Sequence, residues 1–265
     1  MSVSSEYIER CRAILGRVEE QFPLINQAAD LFAGTILAGR MVHLFGSGHS
    51  RMMVEEMWPR YGSFPGFNPI VELSVTFHNL VVGANGQRQA MFLENVSGLA
   101  ERILRNFDLS PRDSALVISS SGCNRLPIEM AELFQANGVK VVALISKDHS
   151  EASTSKDPRG VKLQDFAEIV LDTGAPAGDA MISIPGLDTP VSPGSTVGGA
   201  VLINAVKAEV ARRLVDAGAH PLVLSSAVTV GSERATELFE AAYDDHAHRL
   251  SRLYADVGNK KCSAF

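Results

Sequence analysis

The feature that most restricts what this chain can fold into is a local grammar that occurs twice. Met41-Val42-His43-Leu44-Phe45 is a short apolar run that ends in Gly46-Ser47-Gly48-His49-Ser50-Arg51 and a helical pattern carrying Met52, Met53, Glu56 and Met57. Ala115-Leu116-Val117-Ile118 likewise ends in Ser119-Ser120-Ser121-Gly122-Cys123-Asn124 and a helical pattern through Ile128, Met130 and Leu133, closed by Asn137-Gly138. Strands that are apolar throughout rather than alternating are covered on both faces, and strands separated by helices run parallel because the crossover needs a dozen or more residues. An α/β protein with a central parallel sheet follows, with further strands expected at 139–145 and 168–171.

Before the first unit, apolar residues recur helically at Tyr7, Ile8, Cys11, Leu15, Val18 and Phe22, and again at Ile25, Ala28, Ala29, Phe32 and Ile36 beyond Pro23. This predicts a two-helix arm whose apolar stripes need cover, so 1–38 is expected at an oligomer interface, 39–255 as the main domain and 256–265 as a tail. Between 173 and 199 the chain is rich in Gly, Pro, Ser and Thr, and a long irregular segment of that kind in one domain is usually a functional loop. Helices are expected over 196–215, with Gly198, Gly199, Ala200 and Ala205 suited to close packing, and over 233–254.

Composition narrows the partners. With 265 residues, 46% of them hydrophobic, the chain can bury a core without disulfides, and its three widely spaced cysteines, Cys11, Cys123 and Cys262, make neither a disulfide framework nor a zinc site. Thirty acidic against 24 basic residues give a net charge of −6, with no basic stretch to follow a phosphodiester backbone, so nucleic acid is not an expected ligand. No apolar run reaches the roughly 18 residues of a membrane span, and the start MSVSSEYIERCR lacks a signal-peptide pattern, so a cytoplasmic protein without a membrane partner is expected. No metal or cofactor is expected either.

The loops carry the chemistry. Clustered hydroxyls between the carboxyl end of a strand and the start of a helix donate to one point together with the unpaired helix N–H groups, which makes a cradle for phosphate or sulfonate. The alternative reading of Ser119, Ser120 and Ser121 is a capping loop that only satisfies the helix start. Gly46-Ser47-Gly48 is a poor dinucleotide fingerprint, because Arg51 stands where a third glycine would let helix and strand approach. Ser47 and Ser50 would instead face the same crevice as Ser119 and Ser121, at the edge where open parallel sheets hold ligands.

The two motifs together resemble the sugar isomerase (SIS) domain, and Pro127-Ile128-Glu129-Met130-Ala131, 174–180 and 195–200 resemble phosphosugar isomerases of similar length. The resemblance implies a flavodoxin-like three-layer sandwich, a homodimer or homotetramer with the N-terminal helices at its interface, and a small anionic sugar held by Ser119, Ser120, Ser121 and Asn124, to which the crevice position adds Ser47 and Ser50. Three or four hydrogen bonds to a charged group, at about 1.5–3 kcal/mol each before entropic losses, suffice for micromolar affinity. It further implies an aldose–ketose isomerase of an anionic hexose, first a 6-phosphate, acting through an enediol. The alternatives are a 6-sulfonate sugar such as sulfoquinovose, an amino-sugar phosphate that is isomerised and deaminated, and a sensor or scaffold without activity, since SIS domains serve in each way.

Val54-Glu55-Glu56-Met57-Trp58 resembles the Glu-Glu-Leu segment of phosphoheptose isomerase, whose second glutamate is catalytic, so Glu56 is the expected base, with Glu55 as the neighbour to which the assignment could slip. Met53, Met57 and Trp58 beside it favour a partly dry carboxyl with a raised pKa. That enzyme also has a histidine in its last sheet-packing helix, where this chain offers Asn204 and Lys207. The acid must come from elsewhere, with His78 the first candidate and His49 and His149 further ones; Arg51 is a candidate site residue without an assigned role. His78 lies in Thr76-Phe77-His78-Asn79, where related chains show His-Glu-Gly, so the histidine matches and the glutamate does not. Glu94 and Glu209 are expected to be packing or surface partners.

Overall fold

In a computed structural model of the chain, residues 2–76 and 85–254 are described. Five strands, β1 (Val42–Gly46), β2 (Phe67–Ile70), β3 (Ser114–Ile118), β4 (Lys140–Ile145) and β5 (Ile169–Asp172), pair in the order β2-β1-β3-β4-β5, all parallel. Val42 aligns with Phe67 on one side and Ser114 on the other. This is the flavodoxin-like order, with the direction of travel reversing between β1 and β3.

Period-two alternation divides the strand side chains between two cores. Val42, Leu44, Leu116, Ile118, Val142 and Leu144 face one side, under helices α2 (Phe22–Leu37), α3 (Arg51–Met57) and α9 (Ser195–Asp216). Phe45, Ala115, Val117, Val141, Ala143 and Ile145 face the other, under α6 (Leu99–Leu104) and α7 (Arg125–Ala136). Three layers result because both faces of every central strand are apolar.

The stripe of α2 finds its cover inside the chain. Ile25, Ala28, Ala29, Phe32, Ala33 and Ile36 are buried against the sheet and against Leu202, Ile203, Val206 and Val210 of α9, at roughly 1.5–3 kcal/mol for each large side chain. The helix before it, α1 (Val3–Glu19), buries only Ile14 and Val18 and leaves Ile8 and Leu15 exposed. Gly198 shows how closely α9 lies on the sheet: a Cβ there would stand 1.8 Å from the carbonyl oxygen of Thr173, just beyond β5. α11 (Ser232–Leu253) closes one edge, with Tyr243 and His246 packed on the ring of Trp58.

A buried polar cluster spans the amino-terminal ends of the strands. Asp113 accepts from Arg40 Nε at 2.7 Å, His43 Nε2 lies 3.3 Å from Asp113 Oδ2, and Asn68 Nδ2 is 3.0 Å from His43 Nδ1. Burial pushes the Asp113 carboxyl up, but hydrogen bonds from His43 and Arg40 outweigh it and hold the group at about 2.

The segments outside this frame are short. α4 (Leu73–Thr76) and α5 (Gln87–Leu93) follow β2, α8 (Lys147–Ala152) follows β4, and a small antiparallel hairpin of β6 (Ala180–Ile182) and β7 (Val191–Pro193) precedes α9. α10 (Ala227–Val230) leads into α11.

Candidate functional site

The loops after β1 and β3 leave the sheet at its carboxyl edge and turn to opposite faces, α3 to one core and α7 to the other, so a crevice opens between them. A cavity of about 350 Å³ occupies it, lined by Ser47, Ser50, Ser119, Ser120, Ser121 and Asn124. His49 and His149 also line it. This is the size of a small-ligand site at a topological switch point.

The second loop is fixed by its backbone. Ser119 N–H donates to Leu144 O at 3.0 Å and Ser146 N–H to Ser120 O at 2.9 Å, extending the β3–β4 ladder past the strand ends. The chain then turns at Gly122, whose φ of +63° and crowding by Gln164 and Leu163 both favour glycine. The hydroxyl oxygen of Ser119 accepts from Gly122 N–H and that of Ser121 from Cys123 N–H, each at 3.2 Å. A hydroxyl that accepts from its own loop keeps its O–H to donate outward. Ser120 Oγ is buried and has no hydrogen-bond partner among the described residues. Among the described residues the lining contains no lysine or arginine, so what the serine loop offers an anion are hydroxyl donors.

Glu94 contributes a carboxylate that sequence reasoning had assigned to packing. It caps the end of α5, is 9% exposed, lines the cavity, and accepts from Asn124 Nδ2 at 2.7 Å. No spacing signal marks it, because α5 is too short for a clear period and only the tertiary fold brings its end beside the serine loops. A second carboxylate, Asp179, lines the opposite wall. It accepts from Gly194 N–H, Ser195 N–H and Ser195 Oγ at 3.0, 2.7 and 2.8 Å, and so caps the N-terminus of α9.

His149 is oriented by its backbone neighbours. Gly178 N–H donates to His149 Nδ1 at 2.7 Å. An N–H donates only to a bare ring nitrogen, so the proton of the neutral ring is on Nε2 and the ring presents a donor there. The imidazole of His49, on the 3₁₀ turn Gly48–Ser50, is more exposed.

Glu56 is elsewhere, which corrects the expectation of a dry base in the crevice. On α3 the side of Met53 faces the cavity, while Glu56, three residues on, turns to α9. There it accepts from Asn204 Nδ2 at 2.7 Å and pairs with Arg60, and Lys207 Nζ donates to its carbonyl at 2.8 Å. Burial pushes the Glu56 carboxyl up, but Asn204 and Arg60 together outweigh it and hold the group below the ordinary carboxylate range. Arg51 and Glu55 pair with each other at 3.5 Å and are not part of the lining, and Glu209 pairs with Arg212 and Arg213. His78 lies outside the described residues.

The chain is 34% identical over 245 residues to a UPF0309 protein of Brucella abortus (strain S19), covering 92% of this chain and 96% of that protein. It is 32% identical over 235 residues to a UPF0309 protein of Halalkalibacterium halodurans, covering 87% and 95%. Among solved structures, a phosphoheptose isomerase of Neisseria gonorrhoeae aligns at 15% identity over 80% of this chain and 96% of its own, with a TM-score of 0.48. The family model for the SIS domain matches residues 6–146, from within α1 through β4 and including both serine loops. The chain belongs to the SIS-domain family.

Proposed function

We propose that the protein is an aldose–ketose isomerase of an anionic hexose, in first place a sugar 6-phosphate, acting through an enediol. The observation that carries this reading is one cavity at the switch point that joins a hydroxyl-rich loop at a helix start to a buried carboxylate, Glu94. The hydroxyls of Ser119, Ser120 and Ser121 hold the anion, which fits a phosphate or a sulfonate. Glu94 moves the proton between C2 and C1, and His149 donates from Nε2 to the sugar oxygen that gains charge as the enediol forms.

A second reading, a sugar-phosphate binder without activity, is favoured by one observation. The glutamate that matches the heptose isomerase motif, Glu56, is tied to Asn204 and Arg60 outside the cavity of its own chain. NMR of C2-proton exchange in D2O, over a panel of hexose 6-phosphates, the 6-sulfonate sulfoquinovose and amino-sugar phosphates, separates the two. Exchange with any member supports the isomerase and identifies the anion; saturable binding without exchange supports the binder.

A further inference from the structure

We propose that Asn124 is a positioning residue that ties the Glu94 carboxylate to the anion loop, and is not itself a ligand of the anion. Its catalytic consequence rests on the isomerase reading; the contact itself does not. Asn124 stands at the N-cap of α7, yet its side chain makes no capping bond to that helix. Its Nδ2 donates instead to Glu94 Oε2 at 2.7 Å. The next turn grips the same residue through the main chain, Leu126 N–H donating to Glu94 O at 2.9 Å. Both ends of Glu94 are thus held by the first turn of α7, the turn that continues the serine loop. From the other side the first loop lies nearby, and a side-chain carbon added at Gly48 would stand 4.0 Å from Glu94 Oε1.

An amide donor committed to a carboxylate stabilises the ionised form and fixes its rotamer. With one N–H so used, Asn124 would bring its amide oxygen as well as its second N–H towards an anion, which makes it a poorer ligand than the hydroxyls beside it. The geometry instead makes α7 a lever: whatever seats the anion on 119–121 also sets the carboxylate. Among the described residues, the other titratable groups lining the cavity are His49, His149 and Asp179.

The test uses the full chain labelled at the glutamate side-chain carboxyl carbon, with the Glu94 resonance assigned by its loss in Glu94→Gln. In Asn124→Ala the apparent pKa of Glu94 is expected to rise by about one unit, as follows from losing a hydrogen bond to a charged group. In Asn124→Asp the two facing carboxyls titrate in separate steps more than about one unit apart. Affinity for inorganic phosphate in Asn124→Ala stays within about twofold, and where isomerisation is measured kcat falls about tenfold with KM little changed. Unchanged titration of Glu94 in both variants overturns the proposal, as does a tenfold loss of phosphate affinity in Asn124→Ala. If the wild type isomerises no sugar, the functional reading fails while the carboxyl titration still decides the role of Asn124.

Discussion

Asn204 Nδ2 and Glu56 Oε1 meet at 2.7 Å across the seam between α3 and α9, and with Arg60 on the second oxygen the carboxylate is spent on protein contacts. A carboxyl held below its ordinary range is a weak proton acceptor at neutral pH, whereas Glu94 stands in the cavity itself. Glu94→Gln is therefore expected to lower C2-proton exchange by about 10² to 10⁴, with ligand affinity little changed, while Glu56→Gln retains exchange within about threefold. Loss of exchange in the Glu56 variant alone would return the base to α3.

For the anion, the expected outcome is selective. Replacing Ser119 and Ser121 together by alanine removes two outward O–H donors, and affinity for a 6-anionic hexose should fall at least about 100-fold on titration calorimetry. Affinity for the uncharged hexose should change by less than about threefold. Equal losses for both ligands would mean that the loop shapes the cavity without binding charge.

How far the sequence reaches is visible in particular elements. The apolar runs at β1, β3 and β4 are legible because burial on both faces makes nearly every position apolar, His43 and Ser114 being the buried exceptions, and the matching serine loops then place the crevice. β2 is not legible: it is four residues long, carries Pro69, and its Asn68 is buried only to meet His43. β6 and β7 are three residues each, inside a segment read as irregular. Within the site, the hydroxyls are marked by position after a strand, while Glu94 and Asp179 come from segments remote in sequence. A motif match put Glu56 in the crevice, but motif and helical spacing do not say which neighbour the side chain meets, and Asn204 and Arg60 decide that.

The cluster beneath the sheet gives a pH dependence with a definite sign. Asp113 has a lower proton affinity folded than unfolded, so the stability it confers is complete above about pH 4 and is lost as pH falls towards about 2. The change from 3.8 to about 2 corresponds to roughly 2 kcal/mol. Urea titrations at pH 7 and pH 2.5 should show this loss. Asp113→Ala, which strands Arg40 and His43, should cost about 3 kcal/mol at pH 7 and remove that part of the acid dependence.

Assembly is expected to use what α1 and its junction leave uncovered. Ile8, Leu15 and Phe22 are exposed, the first and last by more than half, although the stripe of α2 is buried at home. A homodimer or homotetramer through this surface should appear in light scattering at micromolar concentration, and Ile8→Glu with Phe22→Glu should dissociate it without unfolding the sheet. A monomeric wild type would refute this surface as an interface.

Asp179 gives the cavity a direction. Two helices of three turns or more begin at its rim, and each start carries partial positive charge. At α9 that charge is already answered by a carboxylate belonging to the protein, so a guest with negative charge at both ends meets attraction at one rim and repulsion at the other. On the proposed reading a singly charged sugar is expected to enter one way round, and a sugar phosphorylated at both C1 and C6 is expected to bind more weakly than the corresponding 6-phosphate.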